Sequence, residues 1–524
     1  MLGTHKEVSA SVLEGAGLSV HIGKVIMSNE SSMKKQMGDA EHLKMLGYDD
    51  SFKRSMSLWS NFALGFTYLS PLVGVYSLFA FALTIGGPPS IWWIVIVGAG
   101  QLLVALVFGE VVSQFPIAGG IYPWTRRLWG KRYAWMAAWV YVWAMLVTIM
   151  AVAQYGTGFL ASLLNLPATK EVGLGLAAVL LVAAFLLNLS GTKTLARVVR
   201  IGFAAELIGV IGVGLYLLIF QRKQEFSIFF DSMGVQGDGS YVTAFLGAAL
   251  AGLFLFYGFE ACGDVSEEVD NPARRVPRAM VMTILIGGVS ALFAFAGYVM
   301  AAPDLQAIVD GTDADPIPAI LEASLGTVGA KIFLVVAVTA FLSCVLSLQA
   351  ASSRLLFSFG RDKMILGHTW LSKVSNRTKV PTNALIVSSG IPLLLAVLVY
   401  LGASLVQITA FAVLGIYVAF QSVVLASLRQ RIKGWKPAGP FNLGMWGTVI
   451  NVAALAYGIF AIYLLIQPGA SGVFLDDWIA LIGLAVVMGT GLLYLLIARP
   501  DKKSDDAEGD AIEVAATMRA HADS

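Results

Sequence analysis

Charge is scarce in this chain. Asp, Glu, Lys and Arg make up 13% of its 524 residues, roughly half the share found in a soluble globular domain. With 57% hydrophobic residues and a mean hydropathy of +0.76, that deficit excludes a soluble domain of useful size. The net charge of +2 marks no nucleic-acid surface. Histidine is sparse too: His5, His21, His42, His368 and His521 all lie outside the long apolar runs. Neither a nucleophile–base motif nor a phosphate-binding loop is apparent, which argues against a membrane enzyme. The two cysteines, Cys262 and Cys344, fall within apolar stretches and are expected to be buried thiols. No metal-ligand spacing occurs, so no cofactor is implied. A secretory signal is also missing, since the first apolar run begins near Leu58 after a polar lead. That first run is therefore expected to direct insertion itself.

What the chain has in abundance is apolar length. About twenty apolar residues cross a bilayer. By that measure the sequence predicts an all-α membrane protein with twelve spans: 57–84, 90–113, 133–162, 172–190, 199–220, 241–262, 279–301, 329–357, 383–401, 404–428, 446–466 and 476–498. Basic residues collect in alternate loops: Arg126, Arg127, Lys131 and Arg132 after span two, Lys193, Arg197 and Arg200 after span four, and Arg274, Arg275 and Arg278 after span six. Arg361 to Lys379 follow span eight, and Arg429 to Lys436 follow span ten. The opposite loops are bare or acidic, except for Arg222 and Lys223. The positive-inside rule then puts both termini in the cytoplasm of a multi-pass protein of the cytoplasmic (plasma) membrane.

Residues 1–54 form a polar amino-terminal segment, in which Met27 or Met33 is an alternative start and residues 46–54 a candidate cap on the cytoplasmic face. Residues 303–328 read as short helices over the outer face. The stretch 500–524 is small and charged, with the composition of a disordered tail.

Two spans carry breaks. Span one is interrupted by Ser70-Pro71-Leu72-Val73-Gly74, and span six by Gly258-Phe259-Glu260-Ala261-Cys262-Gly263. Proline inside a helix removes a hydrogen bond and clashes with the preceding turn. Broken spans at corresponding positions of two halves point to an inverted-repeat transporter with its site at the midplane. The halves would be 55–220 and 221–430, with 431–499 as two accessory spans.

Three motifs add a resemblance. Gly109-Glu110-Val111-Val112-Ser113-Gln114-Phe115-Pro116-Ile117-Ala118-Gly119-Gly120-Ile121-Tyr122 is similar to the end of span two in the amino acid–polyamine–organocation superfamily. So are Phe256 to Glu260 with Glu267-Glu268-Val269-Asp270-Asn271-Pro272, and Ser353-Arg354 with Phe359-Gly360-Arg361-Asp362. The likeness covers about residues 45–498, and Ser70 to Ser77 with Gly47-Tyr48 resemble the amino acid–choline transporter branch. It implies the leucine-transporter arrangement of ten helices plus two, and import of a small amine-bearing solute, an amino acid or 4-aminobutyrate, coupled to protons. A choline, polyamine or other organic-cation importer, an exchanger and a sodium-coupled carrier remain alternatives.

The resemblance also assigns residues. Substrate would meet Ser70, Pro71, Val73, Gly74, Phe254, Tyr257, Gly258 and Glu260, with Phe254 closing over the site. Relatives hold a carboxylate on a glycine-rich triplet; here only Gly74 of Leu72-Val73-Gly74 remains. Glu206 in span five, buried in apolar surroundings, is able to load and release a proton, or else pairs with a neighbouring span. Ser343 and Ser347 share one face of span eight and could line a sodium site instead. Asp264, Glu267 and Glu268 are expected to form gate salt bridges with Arg274, Arg275 or Arg126, while Glu110 is structural. Tyr68, Tyr76, Trp143 and Tyr257 could face a bound cation. The partners implied are the solute, protons (or sodium) and the lipid bilayer, with no obligate partner subunit.

Overall fold

The computed structural model describes residues 38–313, 315–469 and 473–523. The alternative starts, Met27 and Met33, lie outside them. Among the described residues, 11 helices are long and apolar enough to cross a membrane. This is an integral, multi-pass helical membrane protein. The expected sixth span differs: it consists of short helices, Tyr241–Gly247, Ala249–Leu255 and Ala261–Asp264, separated by backbone that is not helical. Span eight extends from Pro316 to Arg361, kinked at Gly326. The kink splits off a short arm, and Leu305–Val309 packs on the second half of span one, as the reading of 303–328 as short helices anticipated.

Span one is two helices. The ring of Pro71 disfavours a helical residue before it, and Ser70 adopts φ 43° and ψ 85°. Ser70 serves both halves. Its N–H donates to Phe66 O at 2.7 Å, closing Leu58–Leu69, while its Oγ accepts from Val73 N at 3.2 Å, opening Pro71–Gly86. Pro71 sits at the first helical position, where its missing N–H costs nothing.

The pairings between helices come in matched sets. Span one packs on span five and on span seven; the span-six helix Ala249–Leu255 packs on span ten and on span two. Span three touches span nine as span eight touches span four, and spans two and seven, like three and eight, face each other. Spans three and ten are largely buried, whereas four, nine, eleven and twelve turn much of their apolar surface outward.

Residues 38–56 and 500–523 fold onto the face that carries most of the arginines. Leu43, Leu46, Tyr48, Phe52 and Met56 are buried there, and Met56 forms a parallel bridge with Val269. Residues beyond 500 differ from the expected disordered tail. Ala511–Asp523 is helical, Ala511 O accepts from Gln114 Nε2 at 2.8 Å, and Asp510 pairs with Arg127. Composition suggested disorder because it counts the acids of this stretch but not the arginines waiting for them.

His42, in the short helix Asp39–Met45, lies 3.1 Å from Gln114 O. Burial pushes its imidazole below the usual 6.5, against the raising effect of the Gln114 carbonyl and of Asp39. The folded state therefore prefers the neutral ring. Its contribution is complete above the unfolded value and declines as pH falls below it. Hydrogen exchange of residues 38–56 should accelerate as pH drops below 6.5, after correction for the intrinsic rate. His42→Gln should flatten that dependence.

Candidate functional site

The two breaks touch. Gly258 has φ +117°, and a Cβ there would lie 2.5 Å from Leu69 N and 2.9 Å from Tyr68 C. Only glycine allows the unwound backbone of span six to lie this close to the end of the first half of span one. On the other side, a Cβ at Gly74 would run into Leu255. The void between these half-helices, lined by Gly74, Val75, Leu255 and Phe295, is about 10 Å³, room for no more than one water. The halves are closed on each other at that point.

Glu260 folds back over its own loop. Its Oε2 accepts from Gly258 N at 2.7 Å, and its Oε1 accepts from Tyr141 Oη of span three at 3.0 Å. The acid thereby satisfies freed backbone of span six and is held at the break. Tyr68 lies beside Glu260 and Tyr141, its hydroxyl closing no bond of ordinary geometry. Tyr257 sets its ring edge-on to Tyr68 at 6.3 Å and to Phe254 at 5.6 Å, and Phe254 in turn meets Tyr155. Thus Phe254, Tyr257, Gly258 and Glu260 are gathered around the span-one break. Trp143 instead meets Trp139 edge-on at 5.9 Å, and Tyr76 bonds Tyr298 farther along span one.

Glu206 approaches the same break from span five. It is fully buried at the point where that helix changes to a π-helical turn, Leu207–Gly212. Such turns often mark functional positions. Its carboxyl faces the Ser70 hydroxyl and the Leu72 N–H without closing a bond of ordinary geometry to either. The amino end of a half-helix suits an acidic group, and here the protein places the Glu206 carboxyl there. One turn earlier, Gly202 takes the Ser343 hydroxyl against it, while Ser347 Oγ lies 2.9 Å from Thr67 Oγ1 of span one. Glu206, Ser343 and Ser347 therefore meet where spans one, five and eight converge.

The acids after Glu260 find other partners than expected. Glu267 pairs with Arg361 at 2.9 Å and also accepts from Ala118 N at 2.9 Å; Glu268 pairs with Arg354 at 2.8 Å and accepts from Thr192 Oγ1 at 2.6 Å. Arg126 pairs with Asp362, and Arg275 with Asp270 at 2.5 Å. Arg274 sits half-buried at the start of Pro272–Ala301. The ion pairs thus bind span six to span eight rather than to the loop that follows it. Among the described residues Asp264 takes no salt bridge, and neither of its oxygens has a hydrogen-bond partner. Tyr48 completes the layer: Arg361 stacks on its ring at 4.0 Å and its hydroxyl donates to Asp362 at 3.3 Å. Glu110 pairs with Arg431 and accepts from Leu443 N at 3.0 Å, a structural role. Tyr141 escaped the sequence reading because it lies among Trp135, Trp139 and Trp143, where nothing in the pattern singles it out.

Interrupted helices closed on one another inside a bundle of apolar spans define a polytopic carrier architecture. The chain belongs to the amino acid permease family, which matches residues 56–491. That places it among transporters rather than enzymes. It is 29% identical to the amino-acid permease BAT1 homolog of Oryza sativa subsp. japonica over 80% of this chain and 86% of the relative. It is 27% identical to the amino-acid permease BAT1 of Arabidopsis thaliana, over 79% and 86%. A Candida albicans protein named "Putative polyamine transporter" is 24% identical over 94% of this chain and 91% of that protein.

The Arg354–Glu268 pair is almost wholly buried. Removing one partner leaves the other charge uncompensated, so Arg354→Met should destabilise the fold by about 3–5 kcal/mol. Adding Glu268→Gln should recover most of that loss. Thermal unfolding of the purified single and double variants measures both.

Proposed function

We propose that the chain is a secondary active importer of a small amine-bearing solute, an amino acid or 4-aminobutyrate, driven by protons through alternating access. The contact of the two breaks, with Glu206 and Glu260 buried beside it and no basic side chain bonded to either, carries this reading. Unpaired acids inside a membrane are expensive and mark ion or substrate pathways. The matched helix pairings support an inverted repeat, spans one to five against six to ten, rocking about this centre. On this reading the arginine-rich face, with both termini, is cytoplasmic, the membrane is the plasma membrane, and the chain works without a partner subunit. Ser70, Pro71, Val73 and Gly74 line the substrate space with Phe254, Tyr257, Gly258 and Glu260.

One observation favours a second reading. The amino end of Pro71–Gly86 offers little to a substrate carboxylate: Pro71 has no N–H, Val73 N is taken by Ser70, and Glu206 faces Leu72 N. A cation without a carboxylate, such as choline or a polyamine, would lose nothing there, and Glu260 and the Tyr68 and Tyr257 rings would receive it. Sodium at Ser343 and Ser347 is the competing driving ion.

Proteoliposomes loaded against a panel of labelled amines and amino acids, under imposed proton or sodium gradients, separate these readings. Proton coupling predicts that Glu206→Gln abolishes gradient-driven accumulation and spares exchange; unaltered accumulation in that variant rejects the role. Glu260→Ala should bind substrate far more weakly while reaching the membrane in normal amount. Wild-type affinity would reduce Glu260 to a structural acid.

A further inference from the structure

Asp264 is the buried acid that the proposed mechanism leaves unused. It lies one helical turn past Glu260, its N–H donating to Glu260 O at 3.1 Å. Both its oxygens are buried and without hydrogen bonds. Each neighbour can be named. Span one contributes Tyr68, span three Tyr141, and span six itself Cys262 and Glu260. Span seven contributes the uncharged Met280 and Thr283 behind Gly263 and Cys262. Span eight carries Arg354 and Arg361, but these are held by Glu268 and Glu267. Among the described residues, the ionisable group one turn away on the same short helix is Glu260.

Two carboxylates on one buried face, with no cation between them, cannot both stay ionised. The cost of desolvating each is several kcal/mol, so the pair retains a proton. Asp264 adjoins the glycine turn that opens the helix Ile121–Leu128, its O accepting from Gly119 N at 3.0 Å. A Cβ on Gly120 would strike Asp264 Oδ1, and one on the adjacent Gly119 would strike Ser358, whose hydroxyl has no partner. Ser266 Oγ and Tyr122 Oη are also buried and unpartnered, and Tyr122 lies under the Arg126 guanidinium. Arg126 is paired with Asp362 at the layer that closes this face.

We propose that Asp264 is the proton station between Glu260 and the arginine-rich face. A proton leaving Glu260 breaks one O–H bond there and forms one on Asp264, and the negative charge moves the opposite way. The proton then departs past Ser358 and Tyr122 when the ion-pair layer opens. Glu260, freed of it, is the charged partner of the solute, and Asp264 touches no solute. This inference rests on proton coupling.

The test compares wild type with Asp264→Asn in proteoliposomes under a proton gradient. Accumulation should be lost while solute counterflow without a gradient persists at the wild-type affinity, which a damaged site would not allow. Wild-type accumulation in Asp264→Asn overturns the assignment. Absence of any proton dependence in wild type would instead reject the coupling on which it rests. A second measurement needs no variant: a hydrophobic carbodiimide modifies protonated buried carboxyls, and mass spectrometry of the wild-type chain should find adducts on Asp264 at neutral pH. Adducts on Glu260 with none on Asp264, across the pH range of transport, would also overturn it.

Discussion

Everything at the centre of this molecule follows from one constraint: backbone that leaves a helix at membrane depth must find its hydrogen bonds within the protein. The chain meets it by placing its two interruptions against each other. Ser70 finishes one half-helix and starts the next with its own N–H and hydroxyl. Glu260 returns to the Gly258 amide, and Gly258 leaves room for Leu69. The residues that solve the backbone problem are the ones we propose to meet the solute.

Charge is distributed by the same economy. Arg126, Arg354 and Arg361 sit in a layer at one end of the bundle, each facing an acid that a different helix supplies. The membrane interior keeps Glu206, Glu260 and Asp264 without cations bonded to them. Paired ions at one face hold helices together, while among the described residues the interior acids meet no cation.

Much of this was legible in the sequence because it depends on local chemistry. Apolar length exposes the spans, Pro71 exposes the first break, and the glycines around Glu260 expose the second. What stayed hidden depends on which helices meet. Tyr141 donates to Glu260 across 119 positions, and no spacing rule announces such a partner among several aromatics. The pairing of Glu267 and Glu268 with Arg361 and Arg354, rather than with the nearer Arg274 and Arg275, reflects span eight descending beside span six. Residues beyond 500 look soluble in isolation, and become a helix only where Arg127 and Gln114 receive them.

That last contact bears on how the chain is made. Asp506 and Asp510 reach Arg126 and Arg127, which lie between spans two and three. They are synthesised after every span has been inserted. During translation Arg127 must remain hydrated or borrow another anion, such as a lipid headgroup, until Asp510 is made. The ion pairs among residues 126–362 on this face can thus form before the contact that Asp510 adds to them.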